Sequence, residues 1–546
     1  MSQPSSPTHT RLSPLALHPM APDHQPLEWL EYEARILLGN LRQGTLSPTT
    51  YDTAWVAQVP DPVHPTRARF PQSIAWLVRH QYDDGSWGAT SPYTPDRVLS
   101  TLAALCALKR HSQREIDVQA IERGVGAVWR LLSELQLART ELVGFELLLP
   151  SLVSQCHALD IPLPECAFGY VAAGQAKLAR IPDVLQYLPE LSLAMSVEFM
   201  GPAVDVTALR RVQGTNGSLG NSPAATAYFL TLTQDVRALG YLEQVQQETG
   251  DGMPFAHPVE LFEPLWVLDH LRRGGLPLQT LVPAAFWEWL AGQVGPSGIS
   301  FSASFAAPDS DDTAVATTLL KQAGYAVDAK PLAAFSRDGC YVSYAFECNP
   351  STSANIHVLE TLLTLRSPSS ALRPIVDFLA SMRSEGMFWH DKWHLSPYYS
   401  TSHALHALCG LPNEFHAQRS ALVQPALEWL TYTQRPDGAW GWLQSTVEET
   451  AYALLALVDA QRHGWPVLDE VILCGARYLE HHASVRDYHP LWIGKSLYAP
   501  TNIIHAAVLA ARYALANRSY MQLAKTVGST TVVIDMAARR AQPRTA

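Results

Sequence analysis

Apolar residues recur at helical spacing through almost the whole chain. From Pro26 to Leu41 the residues Leu27, Leu30, Ala34, Leu37 and Leu38 form one stripe, as on an amphipathic helix. Similar stripes run through Val98–Leu108, Ile121–Leu135, Pro223–Leu232, Pro258–Leu271, Ala314–Ala323, Ala354–Leu365, Ala421–Tyr432, Glu448–Val458 and Ile503–Leu515. Strict alternation is nearly absent, and Gly339–Phe346 is the best short strand candidate. The pattern predicts an all-α protein with many helices of medium length.

Two helix junctions echo each other. Gln81-Tyr82-Asp83-Asp84-Gly85-Ser86-Trp87-Gly88 and Gln434-Arg435-Pro436-Asp437-Gly438-Ala439-Trp440-Gly441 both fit Q-x-x-D-G-x-W-G, and Gln213–Ser218 is a degenerate third copy. Each follows one helical stripe and precedes another. The Asp-Gly favours a tight turn, the Gln amide suits free helix-end groups, and the Trp suits a gap between helices. Recurrence at such junctions predicts stacked helical hairpins closing into α/α-barrels.

Composition narrows the function classes. A net charge of −11 argues against nucleic acid as a principal partner. No apolar run reaches the ~18 residues of a membrane span. Residues 1–25, rich in Pro, Ser, Thr and His, read as a disordered leader without the layout of a secretory signal. Seven scattered cysteines with no C-x-x-C fit reduced thiols in a cytoplasm and give no support to a zinc cluster.

The run Asp309-Ser310-Asp311-Asp312-Thr313-Ala314 sets three carboxylates in four positions between apolar segments. Mutual repulsion and burial both favour keeping a proton on such a group at neutral pH. A protonated carboxyl beside apolar surface can protonate a poor base such as a carbon–carbon double bond. A solvated acidic turn or a cation site would use the same residues.

With D-S-D-D-T-A and the Q-x-x-D-G-x-W-G elements together, the chain resembles the class II terpene cyclases, and more narrowly the class II diterpene cyclases of the copalyl diphosphate synthase group. Tyr51–Ala57, Gly144-Phe145-Glu146, Pro150-Ser151-Leu152, Ser222–Ala227, Pro258–Glu263 and Trp492-Ile493-Gly494-Lys495 carry the likeness in the same order. It implies two α/α-barrel domains with the active cavity between them: a β domain of residues 26–47 and 262–525, and an inserted γ domain of 48–261, followed by a tail of 526–546. No D-D-x-x-D motif is present, so the product should keep its diphosphate and pass to a downstream enzyme.

The resemblance also assigns roles. Asp311 would be the general acid acting on a polyprenyl diphosphate, with Asp309 and Asp312 holding its proton and Asn355 orienting it. Lys177 and Lys392, one from each domain, would bind the diphosphate, with Arg97, Arg180 and Lys495 as weaker candidates. Cation-facing aromatics would come from Phe305, Trp389, Trp393, Tyr398, Tyr399, Phe346 and Trp440.

Where the family carries a His–Asn dyad for the final deprotonation, this chain has Met195 and Phe255, neither of which can accept a proton. That points to hydride and methyl shifts before proton loss, giving a kolavenyl- or halimadane-type skeleton from geranylgeranyl diphosphate. The family's acidic magnesium motif is reduced to its first carboxylate in Glu134–Ala138. Mg2+ is therefore expected with the diphosphate, its protein ligands unknown. Copalyl diphosphate synthase, a drimenyl diphosphate synthase on farnesyl diphosphate, a squalene-hopene-type cyclase, a prenyltransferase-like subunit and a non-catalytic α/α-barrel interaction module are the rival readings.

Overall fold

The structure is a computed structural model that describes residues 27–41, 46–111, 114–135 and 142–518. The expected leader (1–25) and tail (526–546) lie outside the described residues. All ten apolar stripes fall on helices: Leu27–Gly39, Thr94–His111, Glu115–Glu134, Pro223–Thr233, Phe262–Gly274, Ser310–Gln322, Thr352–Thr364, His416–Thr433, Val447–Arg462 and Thr501–Ala516. The strand expected over 339–346 shrinks to Cys340–Tyr341, paired antiparallel with Ser336–Arg337. Beyond it the backbone turns aside, and the Val342 carbonyl accepts from Ser310 Oγ at 2.8 Å.

Two rings of inner helices organise the molecule. Phe262–Gly274, Ser310–Gln322, Thr352–Thr364, Pro397–Cys409, Val447–Arg462 and Thr501–Ala516 each pack against the next, and the last closes on the first. Leu27–Gly39, Ala284–Ala291, Ser369–Ser381, His416–Thr433 and Asp469–His481 lie outside that ring. A second ring joins Thr50–Ala57, Thr94–His111, Phe145–Ala158, the 3-10 segment Ser192–Ala203 and Pro223–Thr233. The fold is thus all-α, with two α/α-barrels.

Each ring has its own apolar core, one drawing on residues 30–46 and 256–515, the other mainly on 51–253. The division is crossed at the site. Met195 packs into the first core, whereas Leu491, Ile493 and Leu497 from the hairpin Trp492–Ile493/Leu497–Tyr498 pack into the second. Asp96 ties the hairpin down, accepting from Leu497 N at 2.9 Å.

The repeated junctions share one construction. Gln81, Gln213 and Gln434 donate to the carbonyls of Gly85, Gly217 and Gly438 at 2.9, 2.9 and 2.8 Å. Those glycines have φ between 85° and 89°, a conformation an L side chain resists. Trp87 and Trp440 are fully buried, and each donates Nε1–H to the carbonyl ten residues earlier, Leu77 and Leu430. Trp389 does the same to Leu379 at 2.7 Å. It is a junction tryptophan sealed in the barrel wall, a correction to its expected place in the cavity.

Candidate active site

The acidic run is explained residue by residue. Asp309 caps the helix Ser310–Gln322, accepting from Asp312 N at 2.7 Å. Ser310 Oγ anchors the 342–343 segment, and Thr313 Oγ1 accepts from Ile299 N at 3.0 Å. The cap turns Asp311 towards the helix Thr352–Thr364. There His357 Nδ1 lies 2.5 Å from its Oδ1, and Ser353 Oγ donates to its Oδ2 at 3.0 Å. His357 Nε2 in turn lies 2.7 Å from His403 Nδ1.

Asn355 does not touch Asp311. Its amide donates to the carbonyls of Tyr341 and Ser351 at 2.7 and 2.8 Å, and its Oδ1 accepts from Tyr341 N at 2.9 Å. It fastens the short strand, and the orienting contacts expected of it belong to Ser353 and His357. Two positions along a helix differ by about 200°, which separates Asn355 from the face the acid occupies.

The carboxylates stand in dry surroundings. Burial first, then the charge of Asp312, push Asp309 well above the usual carboxylate range. Burial and the Asp311 charge push Asp312 up to about 7, although Trp266 Nε1–H donates to its Oδ1 at 3.2 Å. Both flanking acids are thus biased towards the protonated form. Burial followed by the Arg273 charge drives His403 well below the ordinary imidazole range, and burial takes His270 down to about 3.

All three carboxylates line a chamber of about 1000 Å³, its open mouth included, whose walls come from both barrels. Trp266, Phe262, Phe301, Tyr344, Trp492 and Tyr498 are aromatic walls that sequence reasoning did not pick out as facing a cation. Tyr399 and Trp393 are there as expected. Phe305 lies behind Phe301, ring centroids 4.5 Å apart, and does not line the chamber. Tyr398 stacks on Trp429, Phe346 is exposed, and Trp440 is a junction residue.

Met195 and Phe255 both line the chamber. Phe255 stacks on Tyr498 with centroids 5.2 Å apart, and its ring rests on the backbone of Gly494, where an added Cβ would come within 2.8 Å. The cations are distributed differently from expectation. Lys392 lies at the rim, its Nζ 2.6 Å from Glu347, a chamber residue. Lys177 is half exposed, pairs with Glu146 and does not line the chamber, because the helix Ala167–Leu178 sits on the outer layer. Lys495 lines the chamber but its ammonium is spent on Met195 O, Glu198 and Ser222. Arg97 stacks on Tyr82, and Arg180 is exposed.

Asp269, His357 and His403 also converge, with donor atoms within 4.8 Å of one another. Asp269 is held by Arg272 and Arg273 at 2.5 and 2.6 Å, and the two imidazoles bond to each other. A hydrogen-bonded array fits these contacts, and a cation does not. Glu134 is the last residue of its helix; residues 136–138 of the reduced magnesium motif lie outside the described residues.

Residues 343–488 match the family model of the squalene-hopene cyclase C-terminal domain. A type B diterpene cyclase of Mycobacterium tuberculosis is 33% identical over 88% of this chain and 97% of its own length. The chain belongs to the class II diterpene cyclase family. A copalyl diphosphate synthase of Streptomyces cyslabdanicus is 32% identical over 86% of the chain and 92% of its length. The solved ent-copalyl diphosphate synthase of Streptomyces platensis superposes with a TM-score of 0.71 at 30% identity, covering 89% of this chain and 99% of that one. As a class II diterpene cyclase the protein is an enzyme of the intramolecular lyase or isomerase kind, which removes the interaction-module reading. No helix among the described residues is long and apolar enough to cross a membrane.

Proposed function

We propose that this cyclase converts geranylgeranyl diphosphate into a rearranged bicyclic diterpenyl diphosphate of kolavenyl or halimadane type. Asp311 gives its proton to the terminal alkene: the π pair forms the new C–H bond, and the neighbouring double bonds close two rings on the resulting tertiary cation. The aromatic walls stabilise that charge in a chamber with little competing solvent. The diphosphate oxygens stay bonded to their carbon, so the product leaves ready for an enzyme that ionises or hydrolyses it.

One observation carries the rearranged product. The wall formed by the Met195 thioether and the Phe255 ring, the latter braced by Tyr498 and Gly494, offers no proton acceptor. A bicyclic cation facing that wall keeps its charge, and hydride and methyl shifts compete until a proton is lost elsewhere. The diphosphate end is assigned to Lys392 at the rim. Lys177 enters only if its pairing with Glu146 is exchanged for the substrate.

Magnesium would supply charge neutralisation to the diphosphate oxygens. The chamber's rim does not assemble a cage for it, since Glu347 is engaged with Lys392. The ion would arrive with the substrate. The test is incubation with farnesyl diphosphate, geranylgeranyl diphosphate and squalene, followed by dephosphorylation and identification by GC-MS and NMR. A rearranged C20 bicycle is expected; an unrearranged copalyl skeleton or a C15 preference overturns the reading.

A further inference from the structure

His403 lies one residue beyond the contacts that hold the acid, yet its surroundings are built around a proton. It is buried, its Nδ1 faces His357 Nε2 at 2.7 Å, and its Nε2 has no hydrogen-bond partner among the described residues. Its depressed basicity keeps it neutral. A neutral imidazole with Nδ1 turned to a neighbour's N–H is an acceptor. His357 can then carry protons on both nitrogens, one directed to Asp311 Oδ1 and the other to His403.

The remaining charges around the pair nearly cancel. Asp269 and Glu360 bind Arg272 and Arg273 between them, two anions against two cations. Facing the imidazoles are Asp311 and Asp312 from the acid helix, His270 from the helix Phe262–Gly274, Tyr399 beside His403 and Tyr452 across from it, with His394 stacked on Tyr399. The Trp266 ring meets His357 at 4.9 Å between centroids, 70° apart.

We propose that His403 is a positioning residue for the acid: accepting from His357 Nε2–H, it holds His357 as the imidazolium that compensates the charge left on Asp311 when its proton departs. The step balances simply. The Asp311 O–H bond breaks, a C–H bond forms on the alkene, and the new carboxylate is left paired with the cation already beside it. The proton lost later by the product restores the count.

This rests on Asp311 being the acid, and the test separates the two ideas. Geranylgeranyl diphosphate turnover is measured from pH 5.5 to 9 for wild type, Asp311→Asn, His403→Phe and His403→Asn, whose amide oxygen can replace Nδ1 as acceptor. For His403→Phe, kcat should fall about 30-fold with KM within threefold. The basic limb of its profile should move down by about one pH unit, since the doubly protonated pair is lost sooner. His403→Asn should recover most of both. In a His357→Asn background, His403→Phe should cost little more. An unmoved limb, or equal losses from Phe and Asn, overturns the role of His403. An active Asp311→Asn overturns the acid itself. Should the Phe variant not fold, 15N-histidine NMR of the wild type decides: a singly protonated His357 at pH 7 contradicts the proposal.

Discussion

His357 Nδ1 lies 2.5 Å from Asp311 Oδ1, although the two residues stand 46 positions apart on neighbouring inner helices. The pairing leaves Asp311 Oδ2, which Ser353 also contacts, as the oxygen available to a substrate in the chamber. Asp311→Asn should lower kcat by about 10³-fold or more with the fold intact, and His357→Phe by about 10²-fold. Steady-state kinetics beside circular dichroism checks this. A His357→Phe enzyme within threefold of wild type would show the contact to be structural.

The Met195 and Phe255 wall makes a product prediction. Met195→His with Phe255→Asn restores two polar groups on one wall of the chamber. The expected outcome is a shift of at least half the product to the unrearranged bicycle, read by GC-MS after dephosphorylation. An unchanged product ratio in a folded, active double variant would place the end of the reaction elsewhere.

Stability and activity should trade against each other at Asp312. Its folded pKa of about 7 lies above the ordinary 3.8, so its ionisation costs folding free energy progressively as pH rises from about 4 to about 7, and fully above that. Asp312→Asn removes the cost and keeps an acceptor for Trp266 Nε1. At pH 8 it should be more stable by on the order of 1–3 kcal/mol, given that Asp309 shares the same charge repulsion. The gain should shrink towards zero near pH 4, while kcat falls. Thermal denaturation at pH 8 and pH 5 measures it; a lower Tm at pH 8 would contradict the charge argument.

Magnesium is expected to act through the substrate. EDTA should raise KM for geranylgeranyl diphosphate severalfold and leave kcat within about twofold at saturation. Turnover unchanged at low substrate would remove magnesium from the reaction, whereas loss of the folded state on chelation would indicate a protein-bound ion.

The fold was largely legible because helices with one wet face carry a stripe. Two inner helices went unread. Every residue of Thr50–Ala57 is buried, and twelve of the thirteen residues of Pro397–Cys409 are as well, so no polar face marks the period. The acidic run was legible because three charges in apolar sequence need a reason. His357 was not, since a helical histidine two residues from a plausible Asn looks ordinary. Its i, i+4 spacing from Ser353, which sets both on one helix face, was the available signal. Lys177 was placed by resemblance alone, and its pairing with Glu146 shows what such a match omits.

The most direct measurement is turnover of geranylgeranyl diphosphate in D2O, with the intact product examined by mass spectrometry and, after dephosphorylation, by NMR. The expected result is a diphosphate isomeric with the substrate, carrying one deuterium at the less substituted carbon of the substrate's terminal double bond, and none formed by Asp311→Asn. Release of inorganic pyrophosphate, or a cyclic product without that deuterium, would contradict protonation-initiated cyclisation.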